Sequence, residues 1–186
     1  MGDRREEYER LIAPIEGRMM RAVWRVSRDP AEAEDAFQIA LLTIWKRWDR
    51  IREHPNPHAL VLHICVNAAH DALRSRMRQN KRLLHNAVPP DIPDAVAFGP
   101  EHLIQGEQKA DVLRAIAQLA KNQARAILMH AVEEMPYVDI AAVMNCREAT
   151  VRKHVARARA KLRLLLSHLF PGVHKEESKH ARQACQ

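Results

Sequence analysis

The apolar residues of this chain recur every three or four positions in successive stretches, which is the spacing of amphipathic helices. The first stretch runs from Tyr8 to Val26, the second from Asp29 to Trp48, and the third from Ala59 to Arg78. Three further stretches follow, at residues 112–119, 124–132 and 139–165. The pattern predicts an all-α protein.

A proline-rich segment separates the first three stretches from the last three. Residues 85–100 contain four prolines and one glycine with little charge, a composition that favours an extended linker. We therefore predict two small helical domains, at residues 1–84 and 101–170, of which the second is a four-helix unit. Beyond it, the polar residues 171–186 are predicted to form a disordered tail.

Local signals predict several helix ends. Asp29 precedes Pro30 and is expected to cap the second helix, with Glu32 completing a capping box. Residues 49–58 contain two prolines and an asparagine and are predicted to form a loop. Trp48, just before this loop, either stacks on a nucleotide or packs in the core, and the sequence leaves both open.

Residues 139–165 predict a helix-turn-helix. Asp139 is placed to cap a short first helix, and Asn145 tolerates the left-handed conformation that a tight turn requires. After the turn, apolar residues return at spacings of four, three, four and three, which predicts one buried stripe on one long helix. They are Val151, Val155, Ala158, Leu162 and Leu165.

The second helix of this unit is strongly basic. Residues 147–163 carry seven basic residues and one acid, a segment charge of +6. A charged helix face is often only solvated surface. A basic helix that follows a tight turn, however, can enter a major groove while its remaining cations meet phosphates. The combination favours DNA binding.

The whole chain is also basic, with a net charge of +7 and an isoelectric point of about 9.7. This charge favours an anionic partner, either a nucleic acid or an acidic membrane surface. The chain has no run of about 18 apolar residues, and its charged N-terminus lacks an apolar core, so we expect neither membrane insertion nor a secretory signal. The sequence therefore predicts a cytoplasmic protein.

Common catalytic and metal-binding signatures are missing from the sequence. The three cysteines lie far apart without a C-x-x-C pair, which argues against a disulfide framework and a structural zinc site. His63 and His70 lie seven residues apart on one predicted helix face, and we expect them to face solvent or DNA. We predict that the protein is not an enzyme and requires no cofactor or metal.

Residues 139–162, DIAAVMNCREATVRKHVARARAKL, resemble the C-terminal helix-turn-helix of the extracytoplasmic-function sigma factors of bacterial RNA polymerase. The residues in register with the family pattern are Ile140, Ala141, Met144, Thr150, Val151, Arg157, Ala158, Arg159 and Leu162. In that family this unit reads the −35 promoter element as duplex DNA. The resemblance implies duplex contacts from Arg147, Thr150, Arg152, Lys153, Arg157 and Arg159.

Residues 33–45, AEDAFQIALLTIW, are similar to the helix with which the same family binds core polymerase. Helical spacing places Ala36, Ala40 and Ile44 on a buried face and leaves a polar face with one leucine on the other side. A face of this kind suits docking on a partner. The resemblance implies that the partner is the β′ subunit and that the contacts are Glu34, Asp35, Gln38 and Leu42.

Residues 59–78, ALVLHICVNAAHDALRSRMR, are similar to the family segment that contacts the −10 element as a single strand. A polar stripe with spacings of four, four and three runs along this predicted helix, and several basic residues follow it. The resemblance implies −10 contacts from His63, Asn67, Asp71, Arg74, Arg76 and Arg78.

The matched segments, in the family's order and separated by a proline-rich linker, favour a sigma factor that binds core RNA polymerase and directs transcription from promoters. The family also implies an anti-sigma factor as a regulatory partner. The alternative is a free-standing helix-turn-helix regulator that binds operators as a dimer, although the sequence shows no obvious heptad seam. An RNA-binding adaptor is disfavoured by the aromatic content of 4%.

Overall fold

The computed structural model of the chain describes residues 2–27, 29–85 and 100–169. Within these ranges the chain is helical without any strand, which confirms the predicted all-α fold. The predicted tail at 171–186 lies outside the described residues, and so does nearly all of the predicted linker at 85–100. The helices are α1 (Gly2–Ile12), α2 (Glu16–Val26), α3 (Pro30–Lys46), α4 (Trp48–Arg52), α5 (Pro57–His85), α6 (Pro100–Ala117), α7 (Lys121–Ala131), α8 (Tyr137–Met144) and α9 (Glu148–Leu165).

The N-terminal region, which we define as α1 to α5, is built around the long helix α5. Helices α2 and α3 lie against α5 and against each other. Their shared core includes the fully buried residues Met19, Val23, Ile44 and Val61. Removing these side chains from water supplies about 1.5–3 kcal/mol each, which fixes the outward faces of α2 and α3 relative to α5.

The start of α3 is fixed by a side-chain cap. Asp29 Oδ1 accepts a hydrogen bond from the Ala31 backbone N–H at 3.0 Å, which confirms the predicted N-cap. The capping-box prediction for Glu32 is wrong. Its Oε2 accepts instead from Arg76 Nη1 of α5 at 2.8 Å, because tertiary packing brings a guanidinium within reach.

The loop predicted at residues 49–58 is wrong in its first half. The chain forms the short helix α4 there, in which Trp48 and Ile51 are buried at 1% and 0% exposure. Two large apolar side chains three positions apart share one helix face, and burying both favours a helical turn. Trp48 is therefore a core residue. Residues 53–56 form the turn, and α5 begins at Pro57, where Asn56 Oδ1 accepts a hydrogen bond from the Ala59 N–H at 3.0 Å.

The C-terminal region, which we define as α6 to α9, contains the predicted helix-turn-helix as α8 and α9. Asn145 has φ 51° and ψ 52°, which confirms the left-handed turn, and the Cys146 N–H donates to Ala141 O at 3.0 Å. Asp139 lies in the first turn of α8 rather than at its N-cap, so that prediction is wrong. The extended conformation of Pro136 starts the helix three residues earlier.

The two regions pack together along α5. This helix contacts α6, α7 and α8, and the buried apolar residues of both regions form one continuous cluster. Helix α5 therefore belongs to the core of the N-terminal region and also supports the C-terminal region.

Candidate nucleic-acid and polymerase interfaces

Helix α9 presents its cations to solvent because its apolar stripe is buried. Val151, Val155 and Ala158 have 0–1% exposure and face α7 and α8. The opposite surface is left to charged side chains. The predicted −35 residues Arg147, Arg152, Lys153, Arg157 and Arg159 are exposed, and Thr150 is half-buried in the first turn of α9. The structure thus brings all six together at and along one helix.

One of these residues is held by neighbours that the sequence reasoning missed. Arg152 Nε donates to Glu148 Oε1 at 3.1 Å, and its guanidinium lies 4.8 Å from the centre of the Tyr137 ring. Tyr137 in turn stacks on His130 at 4.3 Å. These contacts fix the direction of Arg152 at the junction of α8 and α9. In the sequence, the spacing of four between Glu148 and Arg152 indicates the contact between these two residues, because it places both on one helix face.

The remaining cations of α9 do not all face outward for DNA. Lys161 Nζ donates to Gln118 O at 2.6 Å, so this lysine caps the end of α6. Lys153, Arg157 and Arg159, in contrast, make no hydrogen bond or ion pair with any residue in the described ranges. Those three side chains are available to phosphates without breaking an internal contact.

Helix α3 presents the predicted polymerase-binding face. Its buried side consists of Ala33, Ala36, Ala40 and Ile44, each at 0% exposure. The four predicted contact residues all lie on the exposed side of the helix. They are Glu34, Asp35, Gln38 and Leu42.

This face of α3 is more apolar than the sequence reasoning indicated. Leu42 is 59% exposed, Ile39 55% and Trp45 44%. Spacings of three place these side chains along one stripe beside the acidic residues. Isolated exposed apolar residues are common, but a stripe of three large ones flanked by carboxylates is typical of a docking surface. The sequence indicates this apolar stripe through Ile39, which precedes Leu42 by three positions.

The predicted −10 residues on α5 are divided by their surroundings. His63, Asn67 and Asp71 lie on the side of α5 that faces the C-terminal region. Asp71 Oδ2 accepts from Lys121 Nζ of α7 at 3.0 Å. Arg74 is half-buried, Arg78 is exposed, and Arg76 is paired with Glu32 as described above. The structure therefore aligns these residues on one helix and places the first three beside the C-terminal region, where His63 and Asn67 are half-buried and Asp71 is exposed.

A cleft of about 640 Å³ lies where α3, α5 and α7 meet. Its walls include Asp35 and Arg47 from the α3 side, Asn67 from α5, and Lys121 and Arg125 from α7. The cleft thus joins the edge of the predicted polymerase face to the predicted −10 face, and α7 forms its far wall.

The prediction that His63 and His70 face solvent or DNA is wrong. His70 is fully buried, and neither of its ring nitrogens has a hydrogen-bond partner within the described ranges. Burial lowers the pKa of His70 to about 4, aided by nearby cations and opposed by Asp71. Burial likewise lowers the pKa of His63 to about 4, with Arg125 and Arg47 adding to the effect. Both imidazoles are neutral at pH 7.

Two family models match the chain, and together they span well over half of it. Residues 11–79 match sigma-70 region 2, and residues 109–162 match sigma-70 region 4. The first range contains the α3 and α5 faces, and the second contains α8 and most of α9. No helix within the described ranges is long and apolar enough to cross a membrane.

Curated relatives that the chain matches over most of their length are named as sigma factors. The chain is 27% identical to RNA polymerase sigma-H factor of Pseudomonas aeruginosa over 85% of this chain and 84% of the relative. It is 28% identical to the ECF RNA polymerase sigma factor SigM of Mycobacterium tuberculosis over 92% of this chain and 83% of the relative.

Solved structures share the fold. Sigma factor RpoE of Bartonella quintana, crystallised with the anti-sigma factor NepR, superposes with a TM-score of 0.54 at 22% identity, covering 87% of this chain and 98% of that one. CnrH in complex with the cytosolic domain of CnrY gives a TM-score of 0.53 at 18% identity, covering 88% and 90%. The chain therefore belongs to the sigma-70 family, as a sigma factor of the extracytoplasmic-function type that directs RNA polymerase to promoters.

Proposed function

We propose that the two regions read two different forms of promoter DNA, with residues 1–84 and 101–170 as the functional units. The C-terminal unit reads the −35 element as duplex through α9. The observation that carries this proposal is the exposed cationic surface of α9, fixed in direction by the buried stripe Val151, Val155 and Ala158. Lys153, Arg157 and Arg159 supply phosphate contacts, and Arg147, Thr150 and Arg152 lie nearest the turn, where base edges are reached.

The α3 face docks on the β′ subunit of core polymerase. An exposed apolar stripe flanked by Glu34, Asp35 and Gln38 supports this proposal, because a central apolar contact with a polar rim is the common anatomy of a protein interface. Leu42 and Ile39 fill the apolar part of the contact. The carboxylates give the docking its orientation.

The α5 face receives the −10 element as a single strand. Asn67 and Asp71 offer polar groups to unstacked bases, and Arg74, Arg76 and Arg78 continue the same helix with positive charge for the backbone. Arg76 exchanges Glu32 for a phosphate when the strand binds. Every step is binding rather than catalysis, and no cofactor or metal takes part.

The protein acts in the cytoplasm, where the bacterial polymerase and promoters are. An anti-sigma factor is its regulatory partner. The two structural relatives support this, since one is bound to the anti-sigma factor NepR and the other to the cytosolic domain of CnrY.

Co-elution with core RNA polymerase on size exclusion tests the docking face. The double variant Asp35→Ala/Gln38→Ala is expected to lose co-elution that the wild type shows. Glu107→Ala/Gln108→Ala removes the same groups from an exposed surface of α6 and is the matched control. Equal retention of both variants on polymerase contradicts the assignment of the α3 face.

The same experiment separates the sigma factor from a free-standing regulator. A regulator binds operator DNA as a dimer and ignores polymerase. A wild-type chain that fails to co-elute but shifts duplex DNA as a dimer therefore overturns the α3 and α5 assignments together.

A further inference from the structure

Trp45 forms the C-terminal end of the apolar stripe on the exposed side of α3. It is 44% exposed, whereas Trp48, three positions later, is 1% exposed. A large ring that protrudes from the end of a helix samples several rotamers unless neighbouring groups hold it. Two residues of the N-terminal helix α1, Arg4 and Tyr8, make contacts of this kind.

Tyr8 ties the exposed tryptophan ring to the buried one. The centre of its ring lies 5.4 Å from that of Trp45 in an edge-to-face arrangement, with 73° between the two planes. The same ring lies 5.2 Å from Trp48, with 51° between the planes. Edge-to-face contacts are a preferred geometry of aromatic pairs. Because Trp48 is fixed in the core, Tyr8 restricts the position of Trp45 as well.

Arg4 holds Trp45 through a second pair of contacts. Its guanidinium carbon lies 4.8 Å from the centre of the Trp45 ring, and its Nη2 donates to the Trp45 carbonyl oxygen at 2.9 Å. This carbonyl lies in the last turn of α3, where a cation interacts favourably with the helix dipole. Arg4 therefore fixes both the ring and the backbone of Trp45.

Helix α1 buries little else. Among its described side chains Ile12 alone is fully buried, and Glu7, Tyr8 and Leu11 are half-buried. A helix that removes so little apolar surface from water adds little to the stability of the core. The clearest effect of α1 is therefore on the exposed ring of Trp45.

A tryptophan held in this way suits a binding surface. Tryptophan is enriched among the residues that dominate the energy of protein interfaces. A side chain that is fixed before binding also loses less conformational entropy when the partner arrives. Leu42 precedes Trp45 by three positions, so the two side chains are neighbours on α3. The fixed ring thus extends the apolar stripe of α3 to the edge of α1.

We propose that Arg4 and Tyr8 are positioning residues for polymerase docking, because they hold the Trp45 ring in the orientation in which it contacts polymerase. The proposal rests on the proposed docking of α3 on core polymerase. It adds Trp45 to the contact residues of that surface. Arg4 and Tyr8 act through Trp45 and need no contact of their own with the partner.

Substitutions at Arg4 test the proposal in the full chain. Arg4→Gln removes the cation over the ring, and Arg4→Lys keeps a cation there. Arg5→Gln is the matched control, because Arg5 is the next exposed residue and forms an ion pair with Glu9 within α1. Arg4→Gln and Arg5→Gln lower the net charge equally. The difference between them therefore reports the contact with Trp45.

Nuclear magnetic resonance follows the ring directly. The chain has three tryptophans, so three indole N–H signals are expected, and Trp45→Phe assigns the one of interest. The heteronuclear Overhauser effect of this group reports motion on the picosecond to nanosecond timescale. We expect a lower value in Arg4→Gln and the wild-type value in Arg5→Gln. The signal of the buried Trp48 should be unchanged in both.

The affinity for core polymerase is measured by competition with a labelled wild-type chain. Arg4→Gln is expected to bind about two- to five-fold more weakly than Arg5→Gln, which is the change that corresponds to loss of one exposed cation–π contact. Arg4→Lys should recover most of the affinity. Tyr8→Leu is expected to weaken binding, whereas Tyr8→Phe retains the aromatic contact and should bind as the wild type does.

A Trp45→Leu background separates positioning from direct contact. If Arg4 acts through the ring, Arg4→Gln has no further effect on affinity in this background, because both changes remove the same interaction. An undiminished loss in this background shows that Arg4 contacts polymerase directly, and it overturns the positioning role.

Two further results overturn the proposal. An unchanged Trp45 signal in Arg4→Gln shows that α1 does not hold the ring. A more mobile ring with the same polymerase affinity as Arg5→Gln shows that docking does not use its orientation. In both cases Asp35→Ala/Gln38→Ala still loses co-elution if the α3 face docks on polymerase, so failure of the docking face itself is recognised separately. A wild-type chain that does not bind polymerase overturns both proposals.

Discussion

Helices α5 and α9 are both assigned to DNA, yet α5 is partly buried against the C-terminal region and the cationic surface of α9 is open to solvent. On α9, Lys153 and Arg157 lie in solvent without an internal partner in the described ranges, whereas on α5 the groups of His63 and Asn67 are buried against α7. The two proposed ligands, duplex and single-stranded DNA, also differ in when they become available. Duplex DNA is present before polymerase acts, but a single strand exists only after melting. A surface for the second ligand need not be free at the start.

Acidification is expected to have the largest effect, because it lowers the free energy of unfolding through two buried histidines of α5. The pKa values of His63 and His70 are about 4 in the folded chain, below the ordinary value of 6.5. The unfolded chain therefore binds more protons between these values, so stability is present above pH 6.5 and is lost as the pH falls towards 4. From pH 7 to pH 5 the loss is about 2 kcal/mol for each histidine.

Urea unfolding at pH 7, 6 and 5 measures this loss. His70→Leu is expected to lose less stability on acidification than the wild type. The leucine has a volume similar to that of the buried imidazole it replaces, but it cannot be protonated. His58→Leu changes an exposed histidine of the same helix and serves as control. Parallel pH profiles for the wild type and His70→Leu contradict the predicted role of burial.

Removing two free cations from the open helix is expected to have the next largest effect. Lys153→Ala/Arg157→Ala should reduce the salt slope of duplex binding by about 1.8, and the affinity on the order of 50-fold at 0.1 M salt. Arg50→Ala/Lys109→Ala removes equal charge at exposed positions away from α9. Titrations at several salt concentrations provide the slopes. An equal loss in both variants assigns the effect to net charge and removes α9 from the site.

The smallest effect is expected from a change that alters the position of Arg152 in α9 but leaves its charge in place. Arg152 lies over the Tyr137 ring, a contact worth about 0.5–1 kcal/mol at an exposed site. Tyr137→Leu should weaken duplex binding a few-fold, with an unchanged salt slope because no cation is lost. Val138→Ala, at the exposed next position, is the control. A changed slope in Tyr137→Leu indicates that phosphate contacts have moved.

The sequence predicted those features of the fold that depend on neighbouring residues. Asp29 caps α3 and Asn145 adopts the left-handed turn because each acts on residues within a few positions of itself. The first half of the loop at 49–58 was predicted wrongly, since burial of Trp48 and Ile51 in the tertiary core outweighed the prolines that follow them. Helical spacing likewise predicted the exposed face of α3, because a buried stripe determines the opposite side.

The covering of α5 could not be predicted in this way. Arg18 and Glu133 are 115 positions apart, and neither stands out from the other charged residues of its segment. The burial of His63 and His70 follows from the same long-range packing. Periodicity assigned them to a helix face but did not indicate what lies against that face.

The length of α5 gives two parts of its surface different surroundings. Its 29 residues extend for about 43 Å, and α7 lies against only the part around His63 to Asp71. Towards the C-terminal end, Arg78, Lys81 and Arg82 are exposed on the same helix. The cations at this end of α5 can therefore meet an anionic ligand while the C-terminal region stays in place.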